Sequence, residues 1–361
     1  MELFAPYSFG GLTLRNRMVM ASMSRHRAVS GDVPGALAVT YYSQRASAGL
    51  IVSEASQVSA QAVGFARTPG IHSAEQVIAW RSITDAVHRA GGLIFLQLSH
   101  VGRVSHPEFL RGELPVAPSA IPIEGRVLTP AGPRPAVRPR ALALAEIPGI
   151  VEQFRVAAVR ARLAGFDGVE LNGAYGYLLD QFVRDASNRR TDAYGGSVLN
   201  RIRFALEVAE AVADVWGAGR VGYKISPTDR LNSMSDSDAV STFACLARGL
   251  ISRVGYLHVA EPVRGDAGVP RGRLTALLRS VFQGTFIANG GYDAASARAA
   301  IASRSADLVS FGIPFLANPD LPRRFREGAP LNRPDPATFY AGEARGYVDY
   351  PFLDDTAAES A

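Results

Sequence analysis

The chain has 361 residues, of which 47% are hydrophobic, a formal net charge of +5 and a single cysteine. This length fits one barrel of about 250 residues with insertions better than two separate domains, and one cysteine excludes an internal disulfide framework. Because the basic residues are scattered along helical segments, they do not indicate a nucleic-acid partner, and no apolar run approaches the roughly 20 residues of a membrane span.

Eight short apolar runs recur along the chain and predict strands. They cover residues 17–22, 50–58, 93–100, 168–172, 221–227, 256–262, 285–291 and 306–312. Segments with helical spacing lie between them, notably at 36–48, 73–90, 147–164, 199–215 and 236–250. This alternation is typical of an α/β fold with a parallel barrel, and the nearly continuous apolar strands fit burial on both faces. The sequence therefore predicts a single (β/α)8 TIM barrel.

Three segments lie outside this repeat and predict additions to one domain that spans residues 1–361. Residues 1–15 contain a Gly-Gly pair, which indicates an N-terminal hairpin that closes the barrel floor. Residues 104–143 are rich in proline and follow the third strand, so we expect this loop insertion to overhang the active face. Residues 328–361 form a C-terminal tail.

Two local patterns do not indicate a site of their own. Residues 217–222 have the glycine spacing of a dinucleotide fingerprint, but they follow a helix and precede a strand, which is the reverse of the required order. We therefore expect a helix end and a turn there. His100 and His106 have no carboxylate or second histidine at metal-ligand spacing, so we expect no metal site.

Polar and aromatic side chains follow the fourth predicted strand. Asn172, Tyr175 and Tyr177 come just after its carboxyl end, and this end of a (β/α)8 barrel carries the catalytic groups. In the next predicted strand, Lys224 is the only lysine among 38 basic residues. Because the chain uses arginine everywhere else, a lysine retained inside a strand indicates a selected site.

The stretch that begins with GYLLDQF at residue 176 resembles the signature of the Old Yellow Enzyme family of FMN-dependent ene-reductases. The resemblance continues through Asn188, residues 190–192, 194–196 and 200–201, and it extends over nearly the whole chain. It implies a TIM barrel that binds FMN, takes hydride from NADPH or NADH and reduces an activated C=C bond, as in an enone. We therefore expect a small-molecule substrate, with no nucleic acid and no membrane as partners, while monomer and homo-oligomer both stay open.

The same resemblance places cofactor contacts at the ends of the predicted strands. The flavin ring would contact Ala21, Ser22, Met23, Ser24, Ala55 and Gln97. The phosphate would bind where glycines let backbone amides approach an anion, at Asn289, Gly290, Gly291, Gly312 and Ile313. In the family an arginine usually follows the last of these glycines. Its replacement by Ile313 should weaken FMN binding, because isoleucine cannot make the bidentate contact of a guanidinium.

Lys224 stands where the family usually has an arginine beside N1 and O2 of the flavin. A lysine there still offers a positive charge to the reduced flavin. Two alternatives stay open: the residue has only drifted from arginine, or its amine forms a Schiff base with a carbonyl substrate.

The residues expected to bind the substrate differ from the family pattern. The family has a histidine at the position of Asn172 and a histidine or asparagine at that of Tyr175, and both bind a substrate carbonyl. An amide and a phenol can also donate hydrogen bonds, but the larger Tyr175 should change the substrate or its pose. Tyr177 matches the family's proton donor, with a packing role as the alternative. The residues expected beside the substrate pocket are Phe65, Tyr347 and Tyr350.

The first functional hypothesis is therefore an NAD(P)H:flavin oxidoreductase that reduces an activated alkene. Two alternatives stay open, a flavoprotein of the same fold that catalyses double-bond isomerisation or dehydrogenation, and a catalytically silent ligand-binding barrel. The N-terminus lacks the basic and apolar regions of a secretory signal, so we expect a cytoplasmic protein.

Overall fold

The computed structural model describes residues 2–261 and 272–354. Pro262, at the end of the sixth predicted strand, and residues 355–361 of the tail lie outside the described residues. The strands are β1 (Tyr7–Phe9), β2 (Leu12–Leu14), β3 (Met18–Met20), β4 (Leu50–Gln57), β5 (Ile94–Ser99), β6 (Val116–Ala117), β7 (Arg126–Thr129), β8 (Gly132–Pro135), β9 (Arg140–Ala141), β10 (Gly168–Gly173), β11 (Val221–Ile225), β12 (Tyr256–Ala260), β13 (Thr285–Asn289) and β14 (Leu308–Phe311).

The helices follow the barrel strands. They are α1 (Leu37–Gln44), α2 (Ala74–Arg89), α3 (Ile147–Leu163), α4 (Leu178–Val183), α5 (Val198–Trp216), α6 (Ala239–Leu250), α7 (Arg273–Val281), α8 (Ala294–Ala302), α9 (Ile313–Ala317) and α10 (Leu321–Glu327). In the described part of the chain, no helix combines the length and apolar composition that crossing a membrane requires.

Eight parallel strands close into a barrel, in the order β10, β11, β12, β13, β14, β3, β4, β5. Each apolar run of the sequence provides one of these strands, so the predicted TIM barrel is confirmed. Most predicted runs extend slightly beyond the carboxyl end of the observed strand; the run at 221–227, for example, corresponds to a strand at residues 221–225, whereas β10 extends one residue beyond the predicted 168–172. Pairing stops there because the chain turns outward into the loops that lead to the next helix, and these loops form one face of the barrel.

The N-terminal hairpin closes the opposite end of the barrel, as predicted. β1 and β2 pair antiparallel, with Phe9 opposite Leu12. The turn needs glycine at Gly10, where φ is +55° and an added Cβ would lie 2.0 Å from the carbonyl oxygen of Gly219. Phe9 packs on Tyr256 in an edge-on contact with ring centroids 5.8 Å apart, so an aromatic plug fills the barrel floor.

The insertion at 104–143 has its own short strands. β6 pairs with β9, and β7 and β8 form a hairpin. Ile123 and Val127 of the insertion pack in one apolar cluster with Phe65 and Tyr177. The insertion therefore lies against the loop that follows β10, which agrees with its expected place at the active face.

The segment at 217–222 has the expected structural role. Gly217 ends α5 with φ of +74°, a single 3-10 turn covers Ala218–Arg220, and β11 begins at Val221. The glycine spacing therefore belongs to a helix end and a turn.

His100, just after β5, is expected to make the folded state sensitive to acid. Its buried Nδ1 accepts a hydrogen bond from the Gly102 backbone N–H at 3.0 Å, and burial lowers the pKa of His100 from 6.5 to about 3. A lowered pKa means that the neutral form stabilises the fold above pH 6.5, and that this stability is lost as the pH falls towards 3. We expect a loss of about 3 kcal/mol between pH 7 and pH 4, following 1.36 kcal/mol per pKa unit.

Urea unfolding of the wild type and His100→Asn at both pH values measures this contribution. Asparagine keeps an acceptor for the Gly102 N–H but does not titrate, so the variant should lose about 3 kcal/mol less than the wild type on acidification. Parallel losses in the two proteins would contradict the assignment, since the carboxylates that also titrate are common to both.

Candidate active site

Two adjoining cavities open at the carboxyl ends of the barrel strands. The first has a volume of about 400 Å³ and the second about 600 Å³. Both are lined by Ser22, Met23, Tyr175 and Ile313, so they form one continuous site. The first also includes Ser24, Ala55, Gln97, Asn172 and Tyr177. The second also includes Ala21, Lys224, Asn289, Gly290, Gly291 and Gly312.

The structure therefore brings together the residues proposed for the cofactor and for catalysis. The three expected pocket residues behave differently. Phe65 lines a small cavity of about 20 Å³ that shares Ser24, Ala55 and Tyr177 with the first cavity, so Phe65 lies beside the site. Tyr347 is buried, with its ring stacked on Tyr41 at a centroid distance of 4.2 Å, so it cannot line the site. The Tyr350 hydroxyl instead accepts a hydrogen bond from the Asp335 N–H in the tail.

Other side chains take the place that the tail tyrosines were expected to fill. Leu231, Leu316, Phe339 and Tyr340 line the first cavity. Leu231 and Tyr340 are exposed, with relative accessibilities of 55% and 63%. Leu231, Phe339 and Tyr340 belong to segments without a periodic pattern, and only the apolar pair Phe339-Tyr340 in a polar tail gave a signal in the sequence.

A strained turn after β10 presents Tyr175 and Tyr177 to the site. Tyr175 has φ of +59°, which is uncommon for a residue with a large side chain. The surroundings fix this conformation: its N–H donates to Ser226 Oγ at 2.8 Å, and its carbonyl oxygen accepts from Asn232 Nδ2 at 2.8 Å. Strain held in this way at a cavity wall is typical of a functional loop.

A buried ion pair anchors the same turn from below. Asp180 Oδ2 accepts from the Gly176 N–H at 2.9 Å, and its other oxygen contacts Arg184 Nε at 2.8 Å. Both charged side chains are almost completely inaccessible to solvent. Gly176 itself has φ of +75°, and an added Cβ would lie 2.6 Å from Met234 Cγ. The position of Tyr177 therefore depends on this ion pair.

Tyr177 is suited to donating a proton. Burial, and secondarily the neighbouring Tyr175 and Tyr340, raises the pKa of Tyr177 above its ordinary value. Its hydroxyl therefore carries a proton throughout the physiological pH range. A phenol of this kind can protonate a carbanion-like centre in a transition state if it is well placed.

A hydrogen-bonded network runs beneath the first cavity. Gln97 Nε2 donates to Ser22 Oγ at 2.8 Å and to Glu170 Oε1 at 2.7 Å. Lys224 Nζ donates to the same Ser22 hydroxyl at 3.1 Å. Asn172 Nδ2 donates to Gln97 Oε1 at 3.2 Å. The lysine, the glutamine and the asparagine are thus held in one arrangement.

Glu170 and His258 extend this network under the second cavity. The other carboxylate oxygen, Glu170 Oε2, contacts His258 Nδ1 at 2.8 Å and the Tyr256 hydroxyl at 3.1 Å. His258 Nε2 lies 2.7 Å from Ser310 Oγ, which also accepts from Asn289 Nδ2 at 2.8 Å. Burial alone would raise the pKa of Glu170, but His258 and Lys224 hold it below its ordinary value. Glu170 is therefore a buried carboxylate.

The two cavities together can hold an anion and a planar ring. The second cavity contains the Lys224 ammonium and the backbone at Gly290, Gly291 and Gly312. Gly290 has φ of +139° and an added Cβ would lie 2.7 Å from the Glu261 carbonyl oxygen, so side chains are excluded from this wall. The first cavity provides amide and hydroxyl groups for a ring edge.

The sequence matches a protein-family model described as the NADH:flavin oxidoreductase / NADH oxidase family over residues 2–332. A curated relative, 12-oxophytodienoate reductase 1 of Oryza sativa subsp. japonica, is 46% identical over 371 residues, covering 99% of this chain and 95% of the relative. The solved structure of morphinone reductase in complex with tetrahydroNAD is 48% identical with a TM-score of 0.93, covering 99% of each chain. The Old Yellow Enzyme homologue from Zymomonas mobilis is 43% identical with a TM-score of 0.95, covering 98% of this chain and 100% of the other.

Proposed function

Because the chain belongs to the NADH:flavin oxidoreductase / NADH oxidase family, we propose that its two adjoining cavities hold FMN and an activated alkene side by side. The chain is an FMN-dependent oxidoreductase that uses NADPH or NADH to reduce the activated C=C bond of a small molecule. The observation that carries the arrangement is the continuity of the two cavities through Ser22, Met23, Tyr175 and Ile313.

Residues of the second cavity, together with neighbouring residues of the first, fit FMN. Ala21, Ser22, Met23 and Ser24, with Ala55 and Gln97, would border the ring, and Lys224 would offer a positive charge to it. The backbone from Asn289 to Gly291 and at Gly312 would bind the phosphate. Gly290 and Gly291 line the second cavity together with Gly312, and the positive φ of Gly290 and its close contact with the Glu261 carbonyl oxygen keep a side chain off this part of the wall.

The phosphate end has one departure from the family pattern. Ile313 follows Gly312 where the resemblance expects an arginine, and it is 51% exposed at the cavity edge. An isoleucine contributes no charge to a phosphate. We therefore propose that FMN is held less tightly than by a member of the family that keeps the guanidinium.

When bound, FMN supplies the hydride acceptor and hydride donor of the reaction. The work of the chain is to orient the alkene and to supply a proton. Asn172 and Tyr175 would orient the activating group of the alkene. Tyr177 would donate the proton to the α-carbon, since its hydroxyl stays protonated and lines the same cavity.

The apolar residues that line the first cavity favour a substrate with an apolar part. Leu231, Phe339 and Tyr340 line the first cavity and contribute apolar surface next to the polar side chains of Asn172 and Gln97. A substrate with a hydrophobic body next to its activated double bond would bury that body here, at roughly 25 cal/mol for each Å² removed from water. We propose this class of alkene for the site.

Anaerobic mixing tests the function. FMN-loaded protein should lose its oxidised-flavin absorbance when NADPH or NADH is added, and an activated alkene such as 2-cyclohexenone should restore it. A flavin that is reduced but never re-oxidised by any activated alkene would favour the isomerase or dehydrogenase alternative. A protein that takes up no added FMN would favour the silent binding barrel and overturn the proposal.

A further inference from the structure

We propose that Glu170 sets the reduction potential of the bound flavin by opposing the positive charge of Lys224. Glu170 lines neither cavity, so it acts through its neighbours as a positioning residue. This inference rests on the proposed function, because it assumes that FMN occupies the second cavity.

The charge of the flavin ring changes during the reaction. Hydride from NADPH or NADH, which is two electrons and one proton, turns the neutral ring into an anion while the nicotinamide is oxidised. The same negative charge leaves the ring when hydride passes to the alkene. A positive charge nearby therefore favours the reduced form, and a negative charge nearby favours the oxidised form. Lys224 and Glu170 would act in these opposite directions.

Glu170 lies directly beneath residues that would border the ring. Its side chain is completely buried. An ionised carboxylate can only accept, so Gln97 presents its Nε2 to Glu170 Oε1, where the distance is 2.7 Å. The same Nε2 donates to Ser22 Oγ at 2.8 Å, and Lys224 Nζ lies 3.1 Å from that hydroxyl. Two side chains that line the first cavity thus link the carboxylate to the ammonium group.

The buried Glu170–His258 pair carries one negative charge at neutral pH. Burial alone would raise the pKa of Glu170, but His258 and Lys224 hold it below its ordinary value. Burial lowers the pKa of His258 below 6.5, more than the carboxylate raises it, so the imidazole is neutral. His258 Nδ1 and the Tyr256 hydroxyl contact Glu170 Oε2 at 2.8 Å and 3.1 Å, so both carboxylate oxygens have donors. The single negative charge therefore balances the single charge of Lys224.

Complete burial gives this carboxylate a large effect. With an effective dielectric constant of about 20, one unit charge about 10 Å from another changes an equilibrium by roughly tenfold. Asp229 and Glu261 line the second cavity as well, but both are partly exposed, so water screens their charges. We therefore expect Glu170 to affect the flavin more than either of them.

The reduction potential of the FMN-loaded protein measures this balance, by anaerobic equilibration with a reference dye at neutral pH. Glu170→Gln keeps the shape of the side chain but removes its charge, which leaves Lys224 unopposed. The reduced flavin should then gain about tenfold over the oxidised flavin, a rise of about 30 mV for a two-electron couple. Lys224→Met leaves the carboxylate unopposed and should lower the potential by about the same amount.

The double variant Glu170→Gln/Lys224→Met separates charge from shape. It removes one charge of each sign, so its potential should return to about the wild-type value. Two independent structural defects would add instead of cancelling. Tyr256→Phe is the matched control, since it removes a hydrogen bond from Glu170 Oε2 but leaves the charge in place; its potential should equal that of the wild type. If Glu170→Gln does not fold, Lys224→Met and the double variant still decide the outcome, because the double variant leaves no buried charge uncompensated.

An unchanged potential in Glu170→Gln would overturn the proposal, and so would a double variant that keeps the potential of Lys224→Met. A folded Glu170→Gln protein that takes up no FMN would also overturn it, because Glu170 would then assemble the site instead of tuning it. Re-oxidation of the reduced wild type by 2-cyclohexenone reports the proposed function separately. A protein that the enone re-oxidises, but whose potential does not depend on Glu170, refutes only the charge balance. A wild type that takes up no FMN refutes the proposed function itself.

Discussion

Replacing Tyr177 with phenylalanine is expected to slow re-oxidation of the reduced flavin by an activated alkene about 10²- to 10⁴-fold. The phenylalanine keeps the ring in its contact with Phe65, where the centroids are 6.2 Å apart, and removes only the hydroxyl. Reduction of the flavin by NADPH or NADH needs no proton for an alkene carbon, so it should stay almost unchanged.

Stopped-flow measurement of the two half-reactions distinguishes a proton donor from a packing residue. Tyr350→Phe is a matched control, because it also removes one tyrosine hydroxyl but lies in the tail, bonded to the Asp335 N–H, and lines neither cavity. It should leave both half-reactions at wild-type rates. A loss of equal size in the two half-reactions of Tyr177→Phe would mean that the residue shapes the site without donating the proton.

The barrel could be predicted from the sequence because its signal is local and repeated. Each strand is a short apolar run, and the alternation with helical segments leaves few topologies. The site residues after β10 could also be predicted from the sequence. The carboxyl ends of barrel strands meet on one face, and this does not depend on the detailed packing. Asn172 and Lys224, for example, lie on neighbouring strands at paired positions.

The tail could not be predicted in the same way. Tyr347 and Tyr350 correspond to residues beside the substrate cavity in the family, but the Tyr347 ring stacks on Tyr41 of α1. A contact between residues about 300 positions apart has no local pattern. Phe339 and Tyr340, a few residues earlier, line the cavity instead.

The buried network was partly visible in the sequence. Glu170 and His258 are ionisable residues in the middle of apolar strands, which is costly unless they are paired. The sequence did not show which of them would meet, nor that Glu170 would orient Gln97. These contacts follow from the register of the barrel strands, in which Glu170 lies opposite Gln97 on the adjacent strand.

Replacing Arg184 with methionine is expected to cost about 3–5 kcal/mol in the free energy of unfolding, because it leaves the Asp180 carboxylate buried without its counter-charge. The Arg184 guanidinium contacts Asp180 Oδ1 at 2.8 Å and also donates to the Ser226 carbonyl oxygen at 2.5 Å. Burial already raises the pKa of Asp180, and Arg184 opposes that shift. Methionine fills a similar volume, so lost packing contributes little.

Urea unfolding at pH 7 measures this cost, with Arg155→Met as the matched control. Arg155 contacts Glu152 at 2.7 Å, but both side chains are about half exposed. The control should therefore change the free energy of unfolding by less than about 1 kcal/mol. Similar costs at the two positions would contradict a special role for the buried pair.

The same variant should also affect activity before the protein unfolds. Asp180 accepts a hydrogen bond from the Gly176 N–H, so loss of its counter-charge should let the turn that carries Tyr177 open first. The Arg184 variant should therefore lose alkene reduction at urea concentrations well below its unfolding midpoint.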